Sequence, residues 1–217
     1  MYTISTSQKI PIEWRNESTQ KPPKQAVYIQ EAGAAEILKN AHAQTATVWT
    51  GDFHNAKQVL AAMKKRIRRP SEKKKGTPAD IQTAFHAHRM KQAQQSRLLN
   101  MLAVEIQPNF TLDNASAPAI YAALYDVYDT PNDKPFHLPL NQLLGFIGAH
   151  EWHKKGIDIP QLDGKIHVPF GVFSPLRGEY LDLIAQAPLA PNIQTAFDIG
   201  TGSGVIAAIL AKRGIPD

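Results

Sequence analysis

The run Asp198, Ile199, Gly200, Thr201, Gly202, Ser203, Gly204 narrows the possible folds more than any other part of the chain, because it joins two apolar stretches of different period. Ahead of it, TAFDI reads as a short buried strand. Behind it, VIAAILAKR reads as a helix closed by Gly214 and followed by Pro216. A glycine loop between a strand and a helix predicts the crevice at which open α/β sheets bind ligands. Glycines there allow a tight turn and let a ligand press on bare backbone, while the free N–H groups opening the helix favour a carboxylate or other anion. The acid just before the first glycine suits a cationic amine.

An aminoacyl group carries both charges, and S-adenosylmethionine offers one. Other glycine loops fit less well. The dinucleotide fingerprint G-x-G-x-x-G would need glycine where Val205 stands, which disfavours an NAD-dependent oxidoreductase, and a P-loop would need G-K-[ST] after the glycines. The bland alternative is a turn that binds nothing; acid, spacing and context together argue against it.

The absence of cysteine excludes disulfides, thiolate metal sites and a cysteine nucleophile. No stretch approaches the roughly 18 consecutive apolar residues that span a bilayer. The N-terminus MYTISTSQKIPIEW lacks the basic start and apolar run of a signal peptide. The expectation is a soluble, cytoplasmic chain with no membrane partner. Charge is unevenly placed: residues 57–97 hold twelve Lys or Arg against two acids, Glu72 and Asp80. The densest parts are Lys64, Lys65, Arg66, Arg68 and Arg69, then Lys73, Lys74 and Lys75. Such a field would draw in RNA, a ribosome surface or an acidic partner. A solvated helix end plus a loop fits the same residues equally well.

Along the chain, the polar, proline-containing NESTQKPPK predicts a mobile arm leading into a helix at EAGAAEILKNA, and Thr47 to Thr50 a short extended piece. Asp52 is a candidate N-cap for a helix with Phe53, Ala56, Val59, Leu60, Met63 and Ile67 on one face, ended by Pro70. Thr77, Pro78 and Asp80 predict the start of a long helix running to about Glu105, and Ser116 with Pro118 the start of another through Tyr128. DTPNDKPFHLP reads as a loop. Leu140, Leu143, Leu144 and Ile147 mark a helix through Trp152 that stops at Gly156. Ile166, Val168 and Phe170 then alternate as a strand would, before an amphipathic helix with Tyr180, Leu181 and Ile184 inward. The predicted architecture is a mostly α N-terminal domain, residues 1–156, followed by the beginning of an α/β, Rossmann-like domain, residues 157–217.

DIGTGSGVIAAILAKRG resembles motif I of class I S-adenosylmethionine-dependent methyltransferases. PFGVFSPLRGEYLDLIA resembles the segment before motif I in the methyltransferase small domain group, which acts on protein glutamine side chains and ribosomal RNA. GDFHNAKQVLAAMKKR, LLGFIGAHEWHKKGI and HVPFGVFSPLRGEYLDL are similar to a set of bacterial methyltransferases with a helical N-terminal domain. The resemblance implies that Asp198, Gly200, Thr201, Gly202, Ser203 and Gly204 bind S-adenosyl-L-methionine, and that Phe173, Ser174, Pro175 and Arg177 form a turn close to it. Two family features have no counterpart here: an acid after the second strand that holds the ribose, and an Asn-Pro-Pro-aromatic tetrapeptide that orients the acceptor. Both would lie beyond Asp217. The expectation is thus a methyltransferase acting on a nitrogen of protein or RNA, cut short after motif I and inactive as it stands, with no catalytic residue assignable. The basic segment 57–97 would recruit a macromolecular substrate, and an unfinished sheet edge would invite dimerisation. The alternative is a non-enzymatic helical module that binds nucleic acid or the ribosome.

Other residues carry less. His150, Glu151 and His153 approach the zinc motif H-E-x-x-H, but the second histidine comes one residue early, and no metal is expected. His86 and His88 fall on different faces of a helix. Glu179 near Arg177 reads as a surface pair, and Trp49 and Trp152 read as core anchors.

Overall fold

The computed structural model describes residues 2–6, 11–68 and 80–215. Eight strands and seven α-helices are defined among them, and the chain divides into two compact units, Met1–Gly145 and Phe146–Asp217. The units part within a helix, whereas the sequence places the boundary at that helix's end.

The first unit overturns the expectation of a mostly helical domain. Six strands, β1 (Tyr2–Thr6), β2 (Pro11–Trp14), β3 (Gln25–Ile29), β4 (Thr45–Trp49), β5 (Leu102–Ile106) and β6 (Phe136–Pro139), close into a barrel in the order β1-β2-β6-β5-β4-β3. β3, β4 and β5 run parallel, β1 and β2 form an antiparallel hairpin, and β5 pairs antiparallel with β6. Two parallel contacts complete the ring: β1 with β3 through Ser5 and Thr6, and β2 with β6 through Glu13 and Trp14. A barrel leaves no sheet edge unpaired, so these short strands stabilise one another.

The chain on either side of NESTQKPPK, the segment read as a mobile arm, therefore supplies three strands. Its signal is short: Ile4 on β1, and Ile12 with Trp14 on β2, alternate over four or five residues each. The supposed loop DTPNDKPFHLP contains β6. Pro11 and Pro139 lie at strand ends, where a missing N–H costs no ladder bond.

Helices α1 (Ala34–His42), α2 (Phe53–Arg68), α3 (Ile81–Leu99) and α4 (Tyr121–Tyr128) belong to this unit, and α5 (Leu140–Lys155) begins in it. Asp52 accepts a hydrogen bond from Asn55 N at 2.9 Å and caps α2 as predicted. Asp80 itself is the N-cap of α3, accepting from Thr83 N at 2.7 Å; Pro70, Thr77 and Pro78 lie outside the described residues. α3 stops at Leu99 instead of reaching Glu105, because Leu102, Val104 and Ile106 alternate with Ala103 and Glu105 in strand β5. α4 starts at Tyr121 rather than near Ser116, whose left-handed backbone (φ 58°) is not that of an N-cap.

The second unit holds the rest of α5, the hairpin β7 (Ile157–Ile159) and β8 (Gly164–Ile166), and helices α6 (Glu179–Gln186) and α7 (Val205–Lys212). Gly156 ends α5, as predicted. Its small core is Ile159, Leu181, Val205 and Ile209. β8 stops at Ile166, and Phe170 instead packs edge-on against Phe146 at 4.7 Å between ring centroids. Residues 195–199 form no strand among the described residues. Phe197 is 87% and Ile199 95% exposed, so the Rossmann-like opening inferred from TAFDI is not the observed structure. A strand requires a neighbour for its N–H and C=O groups, and β7 and β8 pair only with each other. The sheet edge expected to invite dimerisation is accordingly absent from this segment.

Candidate functional site

The glycine loop keeps its local geometry although the strand before it does not form. Gly200, Gly202 and Gly204 all lie in the left-handed region, at φ 82°, 54° and 76°, a conformation that strains residues bearing a Cβ. Gly204 N donates to Thr201 O at 2.9 Å, and Gly204 is the N-cap of α7, with no side chain capping the helix and no acid in its first turn. The first N–H groups of α7 thus present a site of partial positive charge. Thr201 is exposed and Ser203 half-buried.

Asp198 lies two residues before the first of these glycines. Its Oδ2 is buried and has no hydrogen-bond partner, which leaves a carboxylate oxygen free to receive a donor. The turn 173–177 meets the loop at one point: a Cβ on Gly202 would stand 3.4 Å from Phe173 Cβ. Pro175 is buried, Ser174 half-buried and Arg177 exposed. The structure therefore brings Phe173 to the glycine loop and gives no contact of Arg177 with it.

A second cluster, which the sequence reading missed, lies inside the barrel. Tyr28 on β3 and His137 on β6 are not on neighbouring strands, so their contact crosses the interior. Tyr28 Oη donates to Glu105 Oε2 at 2.5 Å, and His137 Nε2 lies 3.0 Å from that hydroxyl and 3.2 Å from the same carboxylate oxygen. Gln107 Nε2 donates to Glu105 Oε1 at 2.9 Å. With the tyrosine proton committed to Glu105, His137 donates from Nε2, and its buried Nδ1 has no partner. Trp14 Nε1 is likewise buried without a partner, and the Trp14 ring meets His137 edge-on at 6.4 Å.

The hydrogen bond from His137 holds the Glu105 carboxyl down at about 2, aided by Tyr28 and Gln107 against the opposing effect of burial. Burial first, and then the hydrogen bond to Glu105, push the Tyr28 phenol above its ordinary range, so it stays a donor. Beside the cluster, Thr6, Pro11, Ile12, Glu13, Tyr28, Lys134 and Pro135 line a cleft of about 300 Å³.

The depressed Glu105 carboxyl sets an expected pH dependence. Its ionised form is favoured in the fold, so the stabilisation is complete above the ordinary carboxyl value near 4.5 and is lost as pH falls towards about 2. Urea titrations of the parent at pH 6 and pH 3 should differ by about 2 kcal/mol more than those of Glu105→Gln. Equal differences in the two proteins would show that Glu105 titrates normally.

The remaining sequence-selected residues scatter. His86 meets the Phe85 ring edge-on on α3, and His88 lines a groove between α2 and α3. His167 Nδ1 donates to His153 O at 2.6 Å. Among the described residues no three His, Cys, Asp or Glu side chains come together as a metal-binding group. Trp49 is buried as predicted and donates to Asp52 O at 2.9 Å. Trp152 is instead 47% exposed, with the Lys155 ammonium 5.2 Å from its ring centroid. No described helix is long and apolar enough to cross a membrane. Arg69, Lys73, Lys74 and Lys75 lie outside the described residues.

In comparisons with known proteins, no family model, no curated protein and no solved structure matches the chain.

Proposed function

We propose that this chain carries the cofactor-holding loop of an S-adenosylmethionine-dependent methyltransferase that transfers a methyl group to a nitrogen of protein or RNA. The observation that carries the reading is the pairing of an unpartnered, buried Asp198 carboxylate oxygen with an uncapped helix N-terminus across three left-handed glycines. A ligand with adjacent ammonium and carboxylate groups satisfies both ends at once. Asp198 accepts from the ammonium, the N–H groups opening α7 donate to the carboxylate, and the absence of side chains at Gly200, Gly202 and Gly204 lets the ligand reach them. Phe173 adds an apolar wall beside Gly202. Bound S-adenosylmethionine supplies the electrophilic methyl group.

Nuclear magnetic resonance titration with S-adenosylhomocysteine tests the reading. Saturable shifts are expected at residues 198–207 and near Phe173, with a weak Kd of about 0.1–1 mM, and Asp198→Asn should raise it about ten-fold, the loss of a charge-assisted hydrogen bond. No shift at millimolar ligand, or the same shifts with NAD, would overturn the assignment.

A further inference from the structure

We infer that the groove between α2 and α3 is a docking surface for single-stranded RNA. It has a volume of about 510 Å³ and is lined by the cations Lys64, Arg68 and Lys91 together with His88, three amides, the Ser96 hydroxyl and two apolar side chains. Over their full lengths α2 and α3 carry eight Lys or Arg and no Asp or Glu. Lys64, Lys65, Arg66, Arg68, Lys91 and Arg97 make no ion pair among the described residues. The surface is thus an uncompensated positive field, which a phosphate backbone neutralises with release of counterions.

Three observations favour RNA over an acidic protein. The cationic side chains line a concave groove in which amides and a hydroxyl alternate with them, offering both donors and acceptors to phosphate oxygens and 2′-hydroxyls. Phe85 is 53% exposed and lies one helical turn before His88 and Arg89, on the stripe that continues through Gln92 into the groove. The Arg89 guanidinium lies 5.7 Å from the Phe85 ring centroid, and an exposed aromatic ring paired with a cation beside a cationic track is an arrangement on which unpaired bases stack. Finally, none of the 19 residues of α3 is fully buried, although Gln95 Nε2 donates to Ile67 O at 3.3 Å and ties it to α2. α3 thus leaves most of its surface to solvent.

The surface does not depend on the glycine loop, so either can fail alone. Fluorescence anisotropy with a labelled oligouridine of about 12 nucleotides is the test, with single-stranded DNA of matching sequence and polyglutamate as comparison ligands. RNA should bind in about 50 mM salt and weaken steeply towards about 200 mM. Combined Lys64→Glu and Lys91→Glu should weaken it at least ten-fold and flatten the salt slope by about 0.7 for each phosphate that is no longer neutralised. Phe85→Ala, at an exposed position, should weaken binding about five-fold with the salt slope unchanged, whereas Lys155→Glu should leave binding as it is. Circular dichroism verifies that each variant is folded. Absence of RNA binding at low salt, DNA or polyglutamate binding as tightly as RNA, or full affinity in the double reversal would each overturn the proposal.

Discussion

Glu105→Ala should destabilise the barrel unit by about 2–3 kcal/mol, the cost of leaving buried donors without their carboxylate acceptor. One carboxylate oxygen accepts from the Tyr28 hydroxyl and lies within hydrogen-bonding distance of His137 Nε2, while the other accepts from Gln107. His137 is fully buried and has no alternative acceptor for its Nε2 proton except the same tyrosine oxygen. Deleting the carboxylate therefore strands donors in an interior where Nδ1 already lacks a partner, and an unmade buried hydrogen bond costs more than a made one contributes. Glu105→Gln should cost less, about 1–2 kcal/mol, because an amide oxygen still accepts from Tyr28. Urea unfolding followed by tryptophan fluorescence would measure both. An alanine variant within about 0.5 kcal/mol of the parent would mean that the cluster contributes little to the fold.

Gly51→Ala should cost about 3 kcal/mol or more, through overpacking against backbone. A Cβ built on Gly51 falls 2.1 Å from the carbonyl oxygen of Gln30, so the β4–α2 turn would have to move away from the end of β3. That movement is opposed from several directions. Thr50 N donates to Ile29 O at 3.0 Å, and Asn114 Nδ2 donates to both Trp49 O at 3.0 Å and Gly51 O at 2.9 Å. Gly33→Ala is the control: nothing lies within 4 Å of its Cβ position, and it should change stability by less than about 1 kcal/mol. Equal losses at both positions would show that lost backbone freedom, and not the clash at Gln30, governs the effect.

Helices with a sustained apolar stripe were legible in the sequence. Phe53, Ala56, Leu60 and Met63 recur with helical period along the helix, and all are buried in α2. The barrel was not, because its strands run four or five residues and take their stability from partners far away in the chain. Phe136 and His137 pair with Glu13 and Trp14, a relation that no local window contains. Glu105 was hidden in the same way. It read as the end of a long helix, and only pairing opposite His137 reveals its partner. At the glycine loop the legible part was the helix and its left-handed turn, which local sterics dictate. TAFDI has an apolar strand pattern, but the pattern alone supplies no neighbour to pair with, and Phe197 and Ile199 remain in solvent.

The ring that joins β2 to β6 also fixes when the first unit can fold. Glu13 must wait for Phe136, so about 120 residues have to be synthesised between the two halves of that seam. At about 5–20 residues per second, translation keeps them apart for roughly 6–24 s. During that interval Trp14 and the apolar side of β4 and β5 have no closed interior to enter, and the open strands can pair with other chains. Overproduction from a strong promoter should therefore yield aggregate in proportion to translation load, even though the finished barrel has no free edge.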